Sequence, residues 1–563
     1  MKKYISLFLF LSIFISLSVF SQDKGVTNVI VPGLDSLSRG MPIIMYDHTE
    51  LTGNNKYIYL CGVLTEKEYY EFDDKTHFRF LSDVLYTPIF YKFSYENGYL
   101  NYIWQKKYNT GNVNKLDPEI PFKGVSFYYA GSSVKFNNIG KGTMYQNSSE
   151  GFDIISSASN YKEGLKKLLM LSFDSEGNLI SETTNLDTNL LEHDYASVSS
   201  WPMPTYIRTK ENKIYYMFQN GSYEGNKDPL NLYQGNWVAL EFDTIGNYIK
   251  KHSIFSFKEL ANNGKFKIRQ GRDVYHSDEE IVFSDDEDNF YIFSNLYYYE
   301  IIVNEPICHI RDLLFVKLNK NLETEFYVFE KDITPDTTRD VISMSAVLDQ
   351  ENNVLLSLKT FDCEFYEKTY NLPPRDTIFY LTKLSGKTGE VIETKKIDMG
   401  KRILSMNVKV TNDGNTYIYG CTYPRNPYLA KIDNNLNIEW ITTENIAMAE
   451  SLTDFIDLEP GHFALVGLIN NEEYSEPLII EFSDNSGIDD GEKQIIFHYP
   501  NPTTDILNIN NNYFLGEEYE IYDMSGNLII KDINNTNQIN VNKLCSGVYS
   551  LKIKGSIINF IKE

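Results

Sequence analysis

The sequence predicts an all-β protein in which an array of repeated strand-and-turn units precedes a small, separate β-sandwich. Three observations predict this fold class. The 563 residues include 42 Tyr and 34 Phe, and aromatic side chains favour the pleated surface of β-strands. A two-part phrase of alternating apolar and polar residues recurs seven times. From about Gln494 onwards this phrase gives way to a different succession of short strands.

The composition limits the possible classes of function. With 42% hydrophobic residues the chain can bury a sizeable core, and its length exceeds that of one typical domain. The 52 Lys and Arg residues are outnumbered by 77 Asp and Glu residues, so the net charge is −25. A field of this sign repels nucleic acid and anionic lipid headgroups. We therefore expect no nucleic-acid partner.

The first residues have the parts of a secretory signal peptide. Two lysines form the positive end, an apolar stretch follows from Leu7 to Leu17, and Val19 and Ser21 are the small residues before a cleavage site. Cleavage after Ser21 leaves Gln22 as the first mature residue, so residues 1–21 are the predicted signal peptide. The apolar stretch is shorter than the roughly 20 residues of a membrane-spanning helix. No later stretch approaches that length, and we expect export and no transmembrane segment.

Each repeated phrase begins with a polar turn that leads into a strand. After an insertion of variable length come a second strand, a turn that contains Asn or Gly, and a third strand. The first parts are Asn54–Gly62, Glu150–Ala158, Glu211–Gln219, Glu287–Asn295, Glu351–Thr360, Asp413–Cys421 and Pro460–Asn470. The second parts are Ile89–Trp104, Leu168–Glu182, Trp237–Lys251, Leu313–Phe326, Phe379–Lys395, Tyr428–Trp440 and Leu478–Gly487.

The pattern within a phrase predicts hairpins that cannot stand alone. In WVALEFD (residues 237–243) apolar and polar residues alternate, which predicts one face in a core and one face outside. Turns such as FDSEGN and FDTIGN supply Gly and Asn, which tolerate the positive φ of a tight turn. A lone hairpin buries too little apolar surface to be stable, so the copies are expected to stack.

An array of seven such units, over residues 28–487, resembles a seven-bladed β-propeller. In that fold sheets of about four strands close into a ring and protect most strand edges. Six or eight blades, an array of β-sandwiches and a β-solenoid are the alternatives. The intervals between Gly62 and Glu150 and around Tyr297–Asp312 are the predicted elaborated loops. Loops on one rim of a ring are where such a fold places its binding surface.

Five cysteines leave an odd number of thiols, and none forms a CxxC pair that would support a zinc-ribbon or thioredoxin-type site. Cys61 and Cys421 occupy the same place in their phrases. In a ring of seven blades these phrases are the first and the sixth, with the seventh between them. A disulfide spans no more than about 7 Å between Cα atoms, so we predict two buried free thiols.

The C-terminal segment, predicted to be residues 494–563, carries four strand-like elements. They are HYPNPTTDILNI (498–509), YEIYDMSGNLII (519–530), INVNKLCSGVYSLKI (539–553) and INFIKE (558–563). Prolines fix φ and remove amide donors, which suits the start of an edge strand. In order and spacing these elements resemble the type A C-terminal sorting domain of type IX (Por) secretion cargo. The matching positions are Pro500, Asn501, Pro502, Asp523, Gly526, Gly547, Val548, Tyr549 and Lys562.

This resemblance implies a Gram-negative bacterium of the Bacteroidetes kind and two partners for the tail. An outer-membrane translocon would recognise the domain, and a sortase-like peptidase would remove it. The passenger would then be anchored at the cell surface or released. Residues 483–493 (SDNSGIDDGEK) are polar and contain glycine, as expected of a cleavable linker.

The sequence contains none of the common catalytic patterns, and we assign no catalytic, cofactor-binding or metal-ligating residue. None of the eight His residues has the spacing of a zinc protease, and there is no G-x-S-x-G elbow or phosphate-binding loop. The acidic run Asp285–Asp288 could hold calcium. It lacks the ligand spacing of an EF-hand loop and coincides with a turn of the repeat, so we interpret it as a solvated hairpin.

The leading functional hypothesis is a non-catalytic binding or adhesion protein, secreted or at the cell surface, whose loops contact a glycan or a protein. An extracellular glycan hydrolase or lyase with its site in the central funnel is the first alternative. A structural surface component is the second. Carboxylates and a His that converge in the funnel would favour the enzyme, whereas aromatic side chains on one rim would favour binding.

Overall fold

A computed structural model gives the fold of this chain. The residues whose structure it describes are 25–30, 43–48, 57–65, 70–73, 77–80, 86–96, 99–107, 144–147, 150–160, 165–185, 205–211, 213–220, 236–256, 272–275, 280–300, 309–329, 339–362, 377–423, 425–443, 449–471, 474–483, 498–499, 503–509, 515–523, 526–536, 538–553 and 556–562. The predicted signal peptide with its cleavage site between Ser21 and Gln22, residues 484–493 of the predicted linker, and Pro500, Asn501 and Pro502 of the sorting motif lie outside these ranges.

The regular secondary structure of the described residues is β-strand throughout. Up to Ser483 the strands are β1 (Gly25–Ile30), β2 (Ile43–His48), β3 (Tyr57–Thr65), β4 (Tyr70–Asp73), β5 (His77–Phe80), β6 (Tyr86–Glu96), β7 (Tyr99–Lys107), β8 (Met144–Gln146), β9 (Phe152–Asn160), β10 (Leu165–Phe173), β11 (Leu179–Asn185), β12 (Thr205–Arg208), β13 (Ile214–Asn220), β14 (Asn236–Phe242), β15 (Tyr248–Ser256), β16 (Arg272–Tyr275), β17 (Glu280–Ser284), β18 (Phe290–Glu300), β19 (His309–Leu318), β20 (Thr324–Phe329), β21 (Arg339–Leu348), β22 (Val354–Asp362), β23 (Ile378–Leu384), β24 (Val391–Ile397), β25 (Asn407–Val410), β26 (Thr416–Thr422), β27 (Asn426–Ile432), β28 (Ile438–Thr443), β29 (Ala449–Glu459), β30 (His462–Asn471) and β31 (Tyr474–Ser483). The remaining strands are β32 (His498–Tyr499), β33 (Ile506–Ile509), β34 (Glu518–Asp523), β35 (Leu528–Ile533), β36 (Gln538–Asn540), β37 (Gly547–Ile553) and β38 (Ser556–Lys562).

Seven antiparallel sheets, in addition to the small hairpin of β4 and β5, lie in the described residues up to Ser483. Six have the strand orders β2-β3-β6-β7, β8-β9-β10-β11, β12-β13-β14-β15, β16-β18-β19-β20 (with β17 also paired to β18), β21-β22-β23-β24 and β25-β26-β27-β28. The seventh sheet has the order β29-β30-β31-β1. Its outer strand therefore comes from the other end of the chain, and Gly25 lies opposite Ser483.

Buried apolar side chains join each sheet to the next and the seventh sheet to the first. Tyr91 of the first sheet and Ile456 of the seventh belong to one cluster, and Trp237 of the third sheet and Leu314 of the fourth belong to another. The other neighbouring pairs share clusters of the same kind. First strands of neighbouring sheets also touch, for example β2 with β8 and β29, and β21 with β25; in the fourth sheet, β17 also touches β21. The sheets thus close into a ring with their first strands innermost, which is the arrangement of a β-propeller.

The central strands are buried on both faces, which differs from the one-sided burial predicted from alternation. In β14, Trp237 and Ala239 pack toward the fourth sheet, whereas Val238 and Leu240 pack toward the second. A ring places a neighbouring sheet on each side of every sheet. Both sets of alternate residues are therefore removed from water, as in sheets covered on both faces.

Tight turns of one geometry close many of the hairpins. After β10, Asp174 accepts hydrogen bonds from the N–H groups of Glu176 and Asn178 at 2.9 and 2.8 Å, and Gly177 has a φ of 71°. Such a carboxylate satisfies backbone donors of the turn, while glycine supplies the left-handed conformation without strain. Related turns are capped by Asp243, Asp285, Asn319, Asp349, Asp433 and Asp523.

The C-terminal domain is a sandwich of two small antiparallel sheets. Their strand orders are β32-β33-β36 and β35-β34-β37-β38. Leu507 and Ile539 of the first sheet pack with Ile521 and Leu551 of the second in one buried cluster. The predicted all-β architecture, a propeller followed by a small sandwich, is confirmed.

Candidate functional site

The two rims of the ring differ in how their strands are connected. One rim, here called the turn rim, carries the connections between the first and second and between the third and fourth strands of each sheet. In the sixth sheet these are tight turns at residues 411–415 and 433–437. The opposite rim, the loop rim, carries the connections between second and third strands and between successive sheets. Long intervals of the chain, such as 108–143 and 186–204, begin and end there.

Both segments predicted to be elaborated reach the loop rim. Between β3 and β6 the chain adds the hairpin of β4 and β5. In the fourth sheet β18 and β19 continue beyond β17, so that Tyr297 lies opposite Arg311. β16 pairs with the same extension of β18. The additions to the repeat therefore concentrate on one side of the ring.

An exposed group of aromatic and basic side chains lies on the loop rim at the sixth sheet. Tyr423, in the connection between β26 and β27, is 63% exposed. The guanidinium carbon of Arg402, from the connection between the fifth and sixth sheets, lies 5.8 Å from the centre of the Tyr423 ring, which is a cation–π distance. Lys401 and Arg425, their neighbours in the chain, are also exposed. We call these four residues the rim platform.

Hydrogen bonds fix the rim platform to the sixth sheet. The N–H of Tyr423 donates to the carbonyl of Arg402 at 2.8 Å. The N–H of Cys421 donates to Ser405 Oγ at 3.1 Å, and the Tyr428 hydroxyl donates to the Ser405 carbonyl at 3.0 Å. Because Cys421 and Tyr428 are buried, the two connections rest on the core and hold the exposed side chains in place.

Gly420 permits the close approach of these two connections. A Cβ atom at this position would lie 2.1 Å from the carbonyl oxygen of Ser405. That distance is far below van der Waals contact, and the opposing atom is backbone rather than a flexible side chain. A larger residue would therefore push the segment that carries Arg402 away from Tyr423.

The rim platform is positive on a strongly negative protein. Within the described part of the chain, Lys401, Arg402 and Arg425 form no ion pair with a carboxylate. Lys401 Nζ instead donates to the Thr443 hydroxyl at 2.9 Å. Arg425 has a φ of 103°, a sparsely populated conformation that costs about 1–3 kcal/mol for a residue with a Cβ atom and is concentrated at binding and active sites.

A second set of charged side chains lies near the turn rim and is buried or half-buried. Lys92 Nζ donates to the Ser175 carbonyl of the second sheet at 2.6 Å. Glu481 accepts a hydrogen bond from the Leu100 N–H at 3.2 Å across the junction of the seventh and first sheets. Sequence reasoning missed this set, although each member is a charged residue within the apolar run of its strand. The full set, all on third strands, is Lys92, Glu241, Lys317, Lys383, Lys431 and Glu481.

Buried tyrosines pack around these charges as neutral groups. Burial raises the pKa of Tyr215 to about 12, and the negative charge of Glu241 adds to the effect. Burial also raises the pKa values of Tyr59 and Tyr291. A tyrosine that acts as a general base needs a pKa lowered toward the working pH. The direction of these shifts favours a structural role, and the Tyr59 hydroxyl donates to the Glu150 carbonyl at 2.9 Å.

The acidic run Asp285–Asp288 forms a capped turn between β17 and β18. Asp285 Oδ1 accepts from the Asn289 N–H at 2.8 Å, and Asp288 Oδ1 accepts from the Lys210 N–H of the third sheet at 2.8 Å. In the ranges that the structure describes, no group of three or more His, Cys, Asp or Glu residues is arranged to hold a metal ion.

Two buried thiols lie where they were predicted. Cys61 in the first sheet and Cys421 in the sixth sheet are buried, and neither forms a disulfide. Burial raises the pKa of Cys421 to about 12. Cys545 is also free, and it is exposed. Cys308 and Cys363 lie outside the described residues.

Two of the predicted sorting residues form a turn of the C-terminal sandwich. Asp523 Oδ1 accepts from the Asn527 N–H at 2.9 Å, and Gly526 has a φ of 81°. The turn between β34 and β35 thus repeats the geometry of the capped turns in the propeller.

The other described sorting residues lie on the last hairpin. Tyr549 is buried and its hydroxyl donates to the Cys545 carbonyl at 2.9 Å. Lys562 is also buried and lies opposite Gly547, while Val548 is exposed. Burial of Tyr549 and Lys562 explains their residue types, whereas exposed Val548 has no such explanation within the fold.

Comparison with known protein families identifies the tail. The family described as the secretion system C-terminal sorting domain matches residues 498–563. The C-terminal sandwich is therefore a sorting domain of the type IX (Por) secretion system, and the protein is exported to the cell surface or the extracellular space. No helix of the described residues is long and apolar enough to cross a membrane.

Several solved structures resemble the chain at low sequence identity. The polysaccharide lyase Uly1 is 9% identical with a TM-score of 0.43, over 81% of this chain and 99% of its own. An α-L-arabinanase of Penicillium chrysogenum is 8% identical with a TM-score of 0.34, over 60% and 92%. PorZ, a surface component of type IX secretion in Porphyromonas gingivalis, is 10% identical with a TM-score of 0.18, over 92% and 81%. No curated protein sequence matches the chain.

Proposed function

We propose that this exported protein is a non-catalytic glycan-binding protein that holds its ligand on the loop rim of the propeller. One observation carries the proposal: the exposed Tyr423–Arg402 pair stands on the rim that also carries the long connections. The opposite rim of the described residues is closed by capped turns. Variable segments supported by a rigid scaffold are where folds of this kind place recognition.

The chemistry of the pair suits a saccharide. An exposed tyrosine offers an apolar face and a polar hydroxyl at a low cost in conformational entropy. The guanidinium of Arg402 adds several hydrogen-bond donors in a fixed plane. Because the two side chains come from connections that are hydrogen-bonded to each other, the surface needs little reorganisation to bind, which favours affinity.

Two carboxylates of an innermost strand, β29, are engaged with backbone, which supports binding rather than catalysis. Asp457 Oδ2 accepts from the Asn412 N–H of the sixth sheet at 2.6 Å, and Asp454 Oδ1 accepts from the Phe455 N–H at 2.8 Å. Both groups are engaged with backbone, which suits a structural role. Apolar residues such as Val408 and Leu452 occupy the same strands.

A glycan array combined with a degradation assay tests the proposal on the full mature protein. We expect one or more polysaccharides to bind, and Tyr423→Ala to weaken that binding. The same polysaccharides are then followed for new reducing ends and for unsaturated products, with no depolymerisation expected. Depolymerisation would replace the proposal with a glycan hydrolase or lyase, and failure to bind any glycan would end it.

A further inference from the structure

We infer that the rim platform binds an anionic polysaccharide, one whose sugars carry carboxylate or sulfate groups. This inference deepens the proposed function and rests on it. The platform consists of Lys401, Arg402, Tyr423 and Arg425, on the loop rim of the sixth sheet.

The first argument concerns charge. On a protein with a net charge of −25, exposed cations readily meet carboxylates, as Lys531 does with Glu518 and Glu520. The cations of the rim platform have no such partner among the described residues. Two guanidinium groups and an ammonium group therefore form a local positive surface against a background that repels polyanions. An anionic ligand is therefore expected to bind at the rim platform rather than elsewhere on the protein surface.

The second argument concerns the geometry of Arg402 and Tyr423. The guanidinium carbon lies 5.8 Å from the ring centre, so the ring stabilises the cation through its quadrupole. A guanidinium in this position still presents a planar set of donors, which matches the two oxygens of a carboxylate. The exposed part of the Tyr423 ring is available to the sugar that carries the acidic group.

The third argument concerns the backbone of Arg425. Its φ of 103° is a conformation that glycine adopts readily and a residue with a Cβ atom does not. The turn itself is made by backbone, because the Arg425 N–H donates to the Thr422 carbonyl. An arginine at this position lowers the stability of the fold, and among the described residues its guanidinium forms no ion pair that would offset this cost. Binding of a ligand by the guanidinium explains why an arginine is present here.

Binding of the full mature protein to three soluble polymers tests the inference. The probes are polygalacturonate for carboxylate, dextran sulfate for sulfate and unmodified dextran as the neutral polymer, and affinity is measured by calorimetry at fixed ionic strength. We expect binding to at least one anionic polymer and not to dextran. Arg402→Ala should weaken binding about tenfold or more, the scale of one lost charged contact.

Arg425→Gly separates a binding role from a structural one. We expect it to weaken binding by a similar factor while the melting temperature stays equal or rises, because strain is relieved. The matched control replaces Lys320 and Lys387 with Ala. Both are exposed on the turn rim, and their loss changes the net charge as much as loss of Arg402 and Arg425 together. The control should change affinity by less than about twofold, as expected for distant surface charges.

Each outcome has a distinct meaning. Equal weakening by the turn-rim control would show diffuse attraction and overturn the inference. Binding of neutral glycans that is insensitive to Arg402→Ala would also overturn it, while the proposed function would stand. A protein that binds none of these polymers and no glycan on the array would refute both.

Discussion

Replacement of Glu481 tests how the ring is held closed at the junction of the seventh and first sheets. The side chain is fully buried, and both carboxylate oxygens lie 3.2 Å from the Leu100 nitrogen of the first sheet, which donates to them. Its Oε2 is also 3.5 Å from His462 Nε2, and His462 Nδ1 lies 2.8 Å from the Tyr95 hydroxyl. The Glu481 carboxylate of β31 therefore contacts β30 of its own sheet and β7 of the first sheet.

The structure sets the expected loss of stability for two substitutions. Glu481→Gln keeps the volume and one acceptor oxygen but replaces a charged hydrogen bond with a neutral one, which should cost about 1–3 kcal/mol. Glu481→Ala removes the Glu481 acceptor of the Leu100 N–H, removes one of the partners of His462 and opens a cavity. This second loss should be about 3–5 kcal/mol.

The assay is urea denaturation of the full mature protein, combined with hydrogen exchange of β1 amides. Exchange should rise at β1 in Glu481→Ala, because Glu481 lies opposite Asn28 of that strand. The matched control is Glu459→Gln. Its carboxylate is 3.7 Å from His462 but half exposed, so its loss should cost less than about 1 kcal/mol. A loss below about 1 kcal/mol for Glu481→Ala, or unchanged exchange at β1, would refute the reasoning.

Three further predictions concern the rim platform, the capped turns and the thiols. Gly420→Ala should separate Arg402 from Tyr423, since the new Cβ would meet the Ser405 carbonyl at 2.1 Å. Reduced glycan binding together with a stability loss of about 1 kcal/mol or more is expected, and unchanged binding and stability would contradict the packing. Acid should destabilise the propeller through its turns. A hydrogen bond from the Asn178 N–H is the main reason that the pKa of Asp174 is lowered. A hydrogen bond from the Asn437 side-chain amide does the same for Asp433. The two aspartates therefore stabilise the folded state fully at a pH above their ordinary pKa of 3.8. This stabilisation is lost as the pH falls through their lower pKa values in the folded state. The double variant Asp174→Asn/Asp433→Asn should show a shallower loss of the urea midpoint in acid, and an identical profile would contradict this origin. Finally, a thiol reagent followed by peptide mapping should label exposed Cys545 in the native protein and label Cys61 and Cys421 only after denaturation. Labelling of Cys61 in the native protein would contradict this prediction and would show that the first sheet opens.

The sequence by itself determined the local structure of this protein. Alternating residues such as those of β14, and turns such as Asp174–Asn178, fix strand and turn conformations through side-chain shape and short hydrogen bonds. The same local signals identified the sorting tail and the equivalent positions of Cys61 and Cys421. They were sufficient because each depends on residues close together in the chain.

Only the tertiary structure decided which distant segments meet. β1 contains no copy of the repeated phrase, and its place as the outer strand of the seventh sheet depends on the ring bringing it beside β31. The rim platform likewise joins Arg402 and Tyr423 from two connections, and Glu481 finds Leu100 in another sheet. Alternation along a strand cannot specify such partners, because it states which side chains are apolar and not which sheet lies opposite. Closure of the ring determines which sheets are neighbours. It thereby buries both faces of each sheet and fixes the position of the candidate site.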